Sequence, residues 1–264
     1  FDVLVENFVP GTMDRLGLDY ETVNKRNPRI IYASISGFGQ DGPYAIRPAL
    51  DVIVQAMGGI MSVTGEQGGP PIRPGASLGD SVAGLFTALA VVSALYERHM
   101  TGQGTHIDMS MLDCQVTMME NAFARYFATQ QVPGPLGTRH PAATPFQGFS
   151  ATDGYFVVAL LTDDIAMWKR FCEVIDRSDL AHDPRFSTNQ GRTDHYVDLE
   201  RQLRMTFAQN SVAFWLEALL DAGIPCGPVK DIEQVIEDPQ VQHRGMLASI
   251  PHKKKGKWIV ANTP

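Results

Sequence analysis

One carboxylate in this 264-residue chain has neighbours that suit it to covalent chemistry. Asp80 sits in Gly79-Asp80-Ser81-Val82-Ala83-Gly84, where a polar, Gly/Pro-rich segment (65–79) gives way to the apolar run Leu85 to Leu95. That run is Ala/Leu-rich and apolar nearly all round, so it predicts a buried helix with Asp80 at or near its N-cap. Two readings of Asp80 follow. As a cap, its carboxylate accepts the free N–H groups of the first turn and does nothing more. As a nucleophile, it is held ionised by the helix end, has open surroundings at Gly79 and Gly84, and attacks an acyl carbon.

The elements around that helix read as an α/β chain. Asp2-Val3-Leu4-Val5 is a short apolar run and predicts a strand, followed by a loop punctuated by Pro10-Gly11. A helix is expected from Thr12 or Met13, and another behind the capping Asp19, stopped by Asn27-Pro28. The β-branched run Arg29 to Ser36 closes a β-α-β unit, which makes the two strands parallel, as in a Rossmann-like sheet. Gly37 to Gly42 is a Gly-rich loop at the strand's C-terminal end, the edge where open α/β sheets bind ligands. It lacks a G-x-G-x-x-G opening a helix, which disfavours a nicotinamide dehydrogenase. Asp51 to Met57 reads as a helix, Thr105 to Ser110 as an alternating strand and Met111 to Tyr126 as a Met-rich helix.

Val132 to Pro145 is rich in Pro and Gly and predicts a linker. Beyond it come a hairpin with an Asp153-Gly154 turn, amphipathic helices at Ile165 to Ile175, Tyr196 to Phe207 and Ser211 to Ala222, and an extended loop at Ile224 to Val229. A further helix starts at Asp231, and a strand is expected around Met246 to Ile250. The expected organisation is a large domain over 1–135, a small α+β domain over 136–222, and a segment over 223–264 returning toward the large domain.

Composition excludes several classes. The chain is 44% apolar and 19% charged with a net charge of −7, which argues against a general nucleic-acid or membrane-surface binder. The basic cluster Lys253-Lys254-Lys255 with Lys257 reads as a solvated turn. Cys114, Cys172 and Cys226 are few, odd in number and outside any metal-ligand spacing, so a reduced, cytoplasmic chain without a metal is expected. No apolar stretch is read as long enough to span a bilayer, and no signal peptide is recognised. His99, His106, His182, His195, His243 and His252 are scattered and read as surface or structural. Phe1 to Val5 opens in mid-strand without Met, so a piece of a longer protein is expected.

Several stretches, in this order, resemble class III CoA-transferases, the family of formyl-CoA transferase, carnitine CoA-transferase and the 2-methylacyl-CoA racemases. They are Val5-Glu6-Asn7-Phe8-Val9-Pro10-Gly11 with Arg15-Leu16-Gly17; Asn27 to Gly39; Gly79-Asp80 with Gly84; Arg98 to Gly104; and Gly223 to Val229. The resemblance implies a Rossmann-like large domain, a smaller domain and an interlocked homodimer. It implies acyl-CoA and a small carboxylic acid as substrates and no cofactor beyond the coenzyme A thioester. It places Asp80 on the catalytic aspartate and Asn7, Phe8 and Arg15 on positions that contact CoA. Side-chain chemistry is compatible with each role: Arg15 can pair with a phosphate, Asn7 offers amide donors and acceptors, and Phe8 can stack on adenine or fill the core.

Two departures bear on the substrate. Where formyl-CoA transferases carry a run of glycines, this chain has Gly137-Thr138-Arg139-His140-Pro141-Ala142, a substrate loop in which Arg139 and His140 can attract a carboxylate. The racemase branch places a His where this chain has Leu50, and leucine cannot return an α-proton. Transfer of CoA is therefore the leading expectation. A racemase-like enzyme and a non-catalytic CoA-binding relative are the alternatives.

Overall fold

The computed structural model describes residues 1–160, 164–254 and 256–264, and divides into two compact units, Phe1–Gly137 and Thr138–Pro264. In the first unit the strands β1 (Val3–Glu6), β2 (Ile31–Ser36) and β3 (Thr105–Ser110) form one sheet in that order, parallel throughout. The helices α1 (Thr12–Arg15) and α2 (Tyr20–Arg26) connect β1 to β2, and α3 (Asp51–Met57) and α4 (Leu78–Thr101) connect β2 to β3. The Asp19 side chain caps α2 by accepting the Thr22 N–H at 2.9 Å, as its position before Tyr20 predicts. β2 is central and buried, with Ile31 and Ala33 in the core. Register makes Glu6 and Ser34 neighbours, and Ser34 and Asp108 neighbours, so one face of the sheet carries a polar row. His106 belongs to that face and lies 2.9 Å through Nε2 from the Ser34 hydroxyl, a structural contact.

α4 departs from the sequence reading. It is not buried on all sides. Gly79, Ala83, Thr87 and Ala94 form its buried stripe, and the helix packs on α3, β2 and β3. Leu89 (62% exposed), Val92 (64%) and Tyr96 (72%) face outward. It is also long and apolar enough to cross a membrane by length and composition, which corrects the expectation that no stretch qualifies. Its C-terminal end is tied down by Arg98, which donates to the Arg29 carbonyl at 2.9 Å and pairs with Asp2 at 2.9 Å, at the starts of β2 and β1. The Met-rich helix beyond β3 is two helices, α5 (Met111–Met118) and α6 (Glu120–Thr129), broken at Met119.

In the second unit β4 (Phe146–Ser150) and β5 (Tyr155–Ala159) form the expected hairpin. Helices α7 (Ile165–Val174), α8 (Ser178–His182), α9 (Asn189–Asp194), α10 (Tyr196–Phe207) and α11 (Val212–Asp221) follow. The Ser211 side chain caps α11 through the Phe214 N–H at 3.2 Å. Cys226–Pro228, expected as an extended loop, is strand β6, antiparallel to β5. The short helices α12 (Ile232–Ile236) and α13 (Pro239–His243) precede a hairpin of β7 (Leu247–His252) and β8 (Gly256–Ala261). Lys253 and Lys254 lie in its turn, as expected of that basic cluster; Lys255 lies outside the described residues.

The core of this unit is aromatic. Phe207 is fully buried, with ring centroids 4.8 Å from Phe149, 5.0 Å from Phe156 and 5.1 Å from Trp215. The Trp215 indole N–H donates to the Phe207 carbonyl at 2.9 Å, so side chain and backbone of one residue tie α10 to α11. Removing that ring leaves a cavity between elements that cannot close on it, so Phe207→Ala is expected to cost about 3–5 kcal/mol. Denaturant unfolding of the two proteins measures it, and a loss under about 1 kcal/mol would contradict this view of the core.

Candidate active site

The first turn of α4 is where the sequence left two roles open, and in the structure the capping role falls to an aspartate other than Asp80. Ser77 is the N-cap residue and its side chain makes no capping bond; Asp80 lies three residues in, inside the helix. The capping is done by Asp51, the first residue of α3, whose Oδ1 accepts the Gly79 N–H at 2.8 Å. Its Oδ2 accepts from the Gln55 amide at 2.7 Å and from the Arg73 guanidinium at 2.9 Å. Burial pushes the Asp51 pKa up, but the hydrogen bonds from Gln55, Arg73 and the N–H groups of Gly79 and Asp80 outweigh it and hold the carboxyl below its ordinary value. A carboxylate depressed in this way adds stability above its unfolded pKa, and that stability is lost as pH falls through the folded-state value.

Glycine is required at position 79 for this arrangement. A Cβ there would stand 2.7 Å from Val54 Cγ2 and 3.0 Å from Asp51 Oδ1, so only glycine lets α3 come this close.

With the cap supplied from outside, the Asp80 carboxylate is exposed, and no hydrogen bond or ion pair engages it among the described residues. It opens into a cavity of about 440 Å³ lined also by Asn7, Phe8, Arg47, Leu50 and Gly84. Gly84 is one turn beyond Asp80, and a Cβ there would meet nothing within 4 Å, so the space beside the carboxylate is free. The β2 end contributes Ser36 and Gly37. A Cβ on Gly37 would stand 2.1 Å from that of Ala49, so a second glycine sets the width at the sheet edge. The positive end of the α4 dipole, a carboxylate with free oxygens and a sheet-edge loop thus meet in one place, a combination suited to attack on a carbonyl.

Asn7 and Phe8 follow β1 and enter this same cavity. The Phe8 N–H donates to Glu6 Oε2 at 2.8 Å, which fixes the turn, and Phe8 is 51% exposed, so it does not fill the core. Arg15 ends α1, is exposed, donates to the Thr12 hydroxyl at 2.9 Å and does not line this cavity. Gly137 closes the first unit with φ +62° and donates its N–H to the Gly65 carbonyl at 2.8 Å. Arg139 and His140 belong to the second unit. The Arg139 guanidinium lies 3.8 Å above the Tyr196 ring, and His140 is stacked on Phe146 at 4.9 Å. Among the described residues no group of His, Cys, Asp and Glu is arranged to hold a metal, and all three cysteines are unpaired thiols.

Sequence reasoning missed Asp51 as the cap and Arg47 as a cavity residue. Asp51 carried a readable signal as an acid opening a helix; its partner lies 28 positions on, and no local pattern reveals that distance.

The profile of CoA-transferase family III matches residues 1–264. An acetyl-CoA:oxalate CoA-transferase of Acetobacter aceti is 45% identical over 247 residues, 93% of this chain and 63% of that protein. A succinyl-CoA:glutarate CoA-transferase of Mus musculus is 36% identical over 259 residues, 98% of this chain and 59% of that protein. The crystal structure of a CAIB/BAIF family protein from Brucella suis superimposes with a TM-score of 0.83 at 36% identity, covering 100% of this chain and 72% of that one. The chain therefore spans about three-fifths of the length of the curated relatives it matches, and it belongs to CoA-transferase family III.

Proposed function

We propose that the protein containing this chain moves CoA from an acyl-CoA donor to a carboxylic acid, with Asp80 as the nucleophile. The observation that carries this reading is the division of labour at α4: Asp51 occupies the helix end, and Asp80 keeps both oxygens free in an open cavity. The relatives named for acetyl-CoA with oxalate and succinyl-CoA with glutarate support the same class of reaction. Asp80 attacks the thioester carbonyl; the C–S bond breaks, leaving a mixed aspartyl-acyl anhydride and CoA thiolate. The thiolate attacks the aspartyl carbonyl, the donor acid leaves as its carboxylate, and Asp80 carries a CoA thioester. An acceptor carboxylate attacks that thioester and expels thiolate, which attacks the acceptor carbonyl of the new anhydride and frees Asp80. Charge and atoms balance at each step without a metal or redox cofactor.

The positive end of α4 favours the ionised nucleophile and offsets charge on the tetrahedral oxygen. Asn7 and Phe8 are assigned to the pantetheine end of CoA, Arg15 to a CoA phosphate, and Gly137, Arg139 and His140 to a loop serving the acceptor acid. Leu50, in the cavity with Asp80, offers no second acid or base, which favours transfer over racemisation. The free carboxylate favours an enzyme over a non-catalytic binder.

The protein is further proposed to work in the cytoplasm as an interlocked homodimer. The outward apolar stripe of α4 supports a second copy of the chain, because Leu89, Val92 and Tyr96 present a surface that such a copy would cover. Light scattering on the full-length protein is expected to give twice the chain mass; a stable monomer would contradict it.

Asp80→Asn and Asp80→Ala are expected to lower CoA exchange between acyl-CoA and acid by more than about a thousandfold with the fold intact. Retained turnover in either variant removes Asp80 from the reaction. Asp51→Ala frees the N–H groups of α4, so Asp80 is expected to be held less well and kcat to fall by roughly 10- to 100-fold, with a smaller effect for Asp51→Asn. Steady-state kinetics on both variants measures this, and equal losses in the two would contradict it.

A further inference from the structure

The face of α3 that carries Asp51 continues to a third helix. Asp51, Gln55 and Gly58 are spaced by one helical turn each, so they form one stripe along α3. α3 packs on both α4 and α5. At one end of the stripe Asp51 holds the first turn of α4. At the other, a Cβ on Gly58 would stand 2.4 Å from the Gln115 Cβ, so Gln115 of α5 is seated on the stripe. Gln55 lies between them. Its Nε2 donates to Asp51 Oδ2 at 2.7 Å and to the Ala76 carbonyl, just before α4, at 3.3 Å. Both partners are acceptors, which fixes the orientation of the amide and turns Oε1 away from them. Gln55 and Gln115 are fully buried, and neither Gln55 Oε1 nor either amide atom of Gln115 has a hydrogen-bond partner among the described residues. α3 therefore presents a buried acceptor without a donor, and the residue seated beside it carries a free donor.

From this stripe we infer that the Gln115 amide supplies the donor to Gln55 Oε1, which makes Gln55 and Gln115 positioning residues for Asp80. Gln115 fixes Gln55, Gln55 fixes Asp51, and Asp51 holds the end of α4 that carries Asp80. The consequence for catalysis rests on the transferase reading of Asp80; the hydrogen-bonded relay does not. Arg73 also holds Asp51, but from a side chain 40% exposed, where water competes for the same oxygen. Gln55 holds it from the interior, where an amide left without partners is costly and a satisfied one is rigid. A donor on Oε1 also strengthens what Nε2 gives to Asp51, because polarisation runs along such a chain. α5 is in turn tied to the sheet edge: the Leu112 N–H donates to the Gly37 carbonyl at 3.0 Å, and Met111 and Gly37 line the cavity with Asp80. The relay thus sets the helix of the nucleophile against the helix that backs its cavity.

The test uses the full-length protein with Gln115→Met, Gln55→Met and the double variant, and Gln115→Leu as a second removal of the amide. Met has nearly the reach and volume of Gln, so the fold is expected to persist. Hydrogen exchange read by mass spectrometry on peptides covering 78–84 follows the α4 N–H groups that Asp51 holds and needs no activity. Gln115→Met is expected to speed hydrogen exchange there by at least about threefold, and Gln55→Met by more, with the far end of α4 unchanged. Steady-state CoA transfer follows Asp80. Gln115→Met is expected to lower kcat roughly 3- to 10-fold, the range for one lost neutral hydrogen bond, with KM values within about twofold. Because Gln115 acts through Gln55, adding Gln115→Met to Gln55→Met is expected to change kcat by less than about twofold further. If both amides are instead without partners, Gln115→Met removes a buried polar group, raises the unfolding midpoint and leaves hydrogen exchange and kcat at wild-type values; that result overturns the inference. Losses that multiply in the double variant overturn it too. A wild type that transfers no CoA removes the transferase reading, while the hydrogen-exchange rates still decide the relay.

Discussion

A helix N-terminus offers several N–H groups that need an acceptor, and a neighbouring aspartate is the usual one. Here the acceptor comes from another helix. Asp51 reaches across from α3 to the Gly79 N–H, and its own charge is answered by Arg73 and Gln55. Asp80, one residue further, is thereby left beside the positive helix end without being spent on it. The contact needs α3 and α4 nearly touching, which explains the glycine at 79, where any side chain would run into Val54 and Asp51 itself.

The rest of the first unit can be understood as support for that contact. The parallel sheet delivers the ends of β1 and β2 to the same edge, so that Asn7, Phe8, Ser36 and Gly37 face the mouth of the cavity. α4 is fixed at both ends, by Asp51 at its start and by Arg98 at its finish, where the guanidinium grips the beginnings of β1 and β2. Its buried stripe is made of small residues, Gly79, Ala83 and Ala94, which let it lie close on the sheet. The larger apolar residues point the other way.

Much of this was legible in the sequence because it rests on local pattern. The β-branched run at Arg29 to Ser36, the capping Asp19 and Ser211, and the Asp153-Gly154 turn each announce their element within a few residues. What was not legible depends on distance. Apolarity on every side of α4 reads as burial, whereas the structure covers only the small-residue stripe; composition cannot distinguish a face covered by its own chain from one left open. β6 was hidden because three residues containing Gly227 and Pro228 carry no strand signal, and only the edge of β5 makes them one. At the site, Gly84 leaves open space as read, Gly79 is instead packed against Val54 and Asp51, and Asp80 keeps its carboxylate unengaged among the described residues. The reason it is free lies in a residue 29 positions earlier, and Arg47 gave no signal apart from its charge.

Covalent acylation of Asp80 is the step on which the proposed transfer turns. The most direct measurement is to incubate the full-length protein with an acyl-CoA donor and hydroxylamine, digest it, and map the modified acid by mass spectrometry. If Asp80 is the nucleophile, a hydroxamate forms on the aspartate of the Gly79-Asp80-Ser81 peptide, and only when the donor is present. A hydroxamate on a different acid, or none while exchange proceeds, would contradict it.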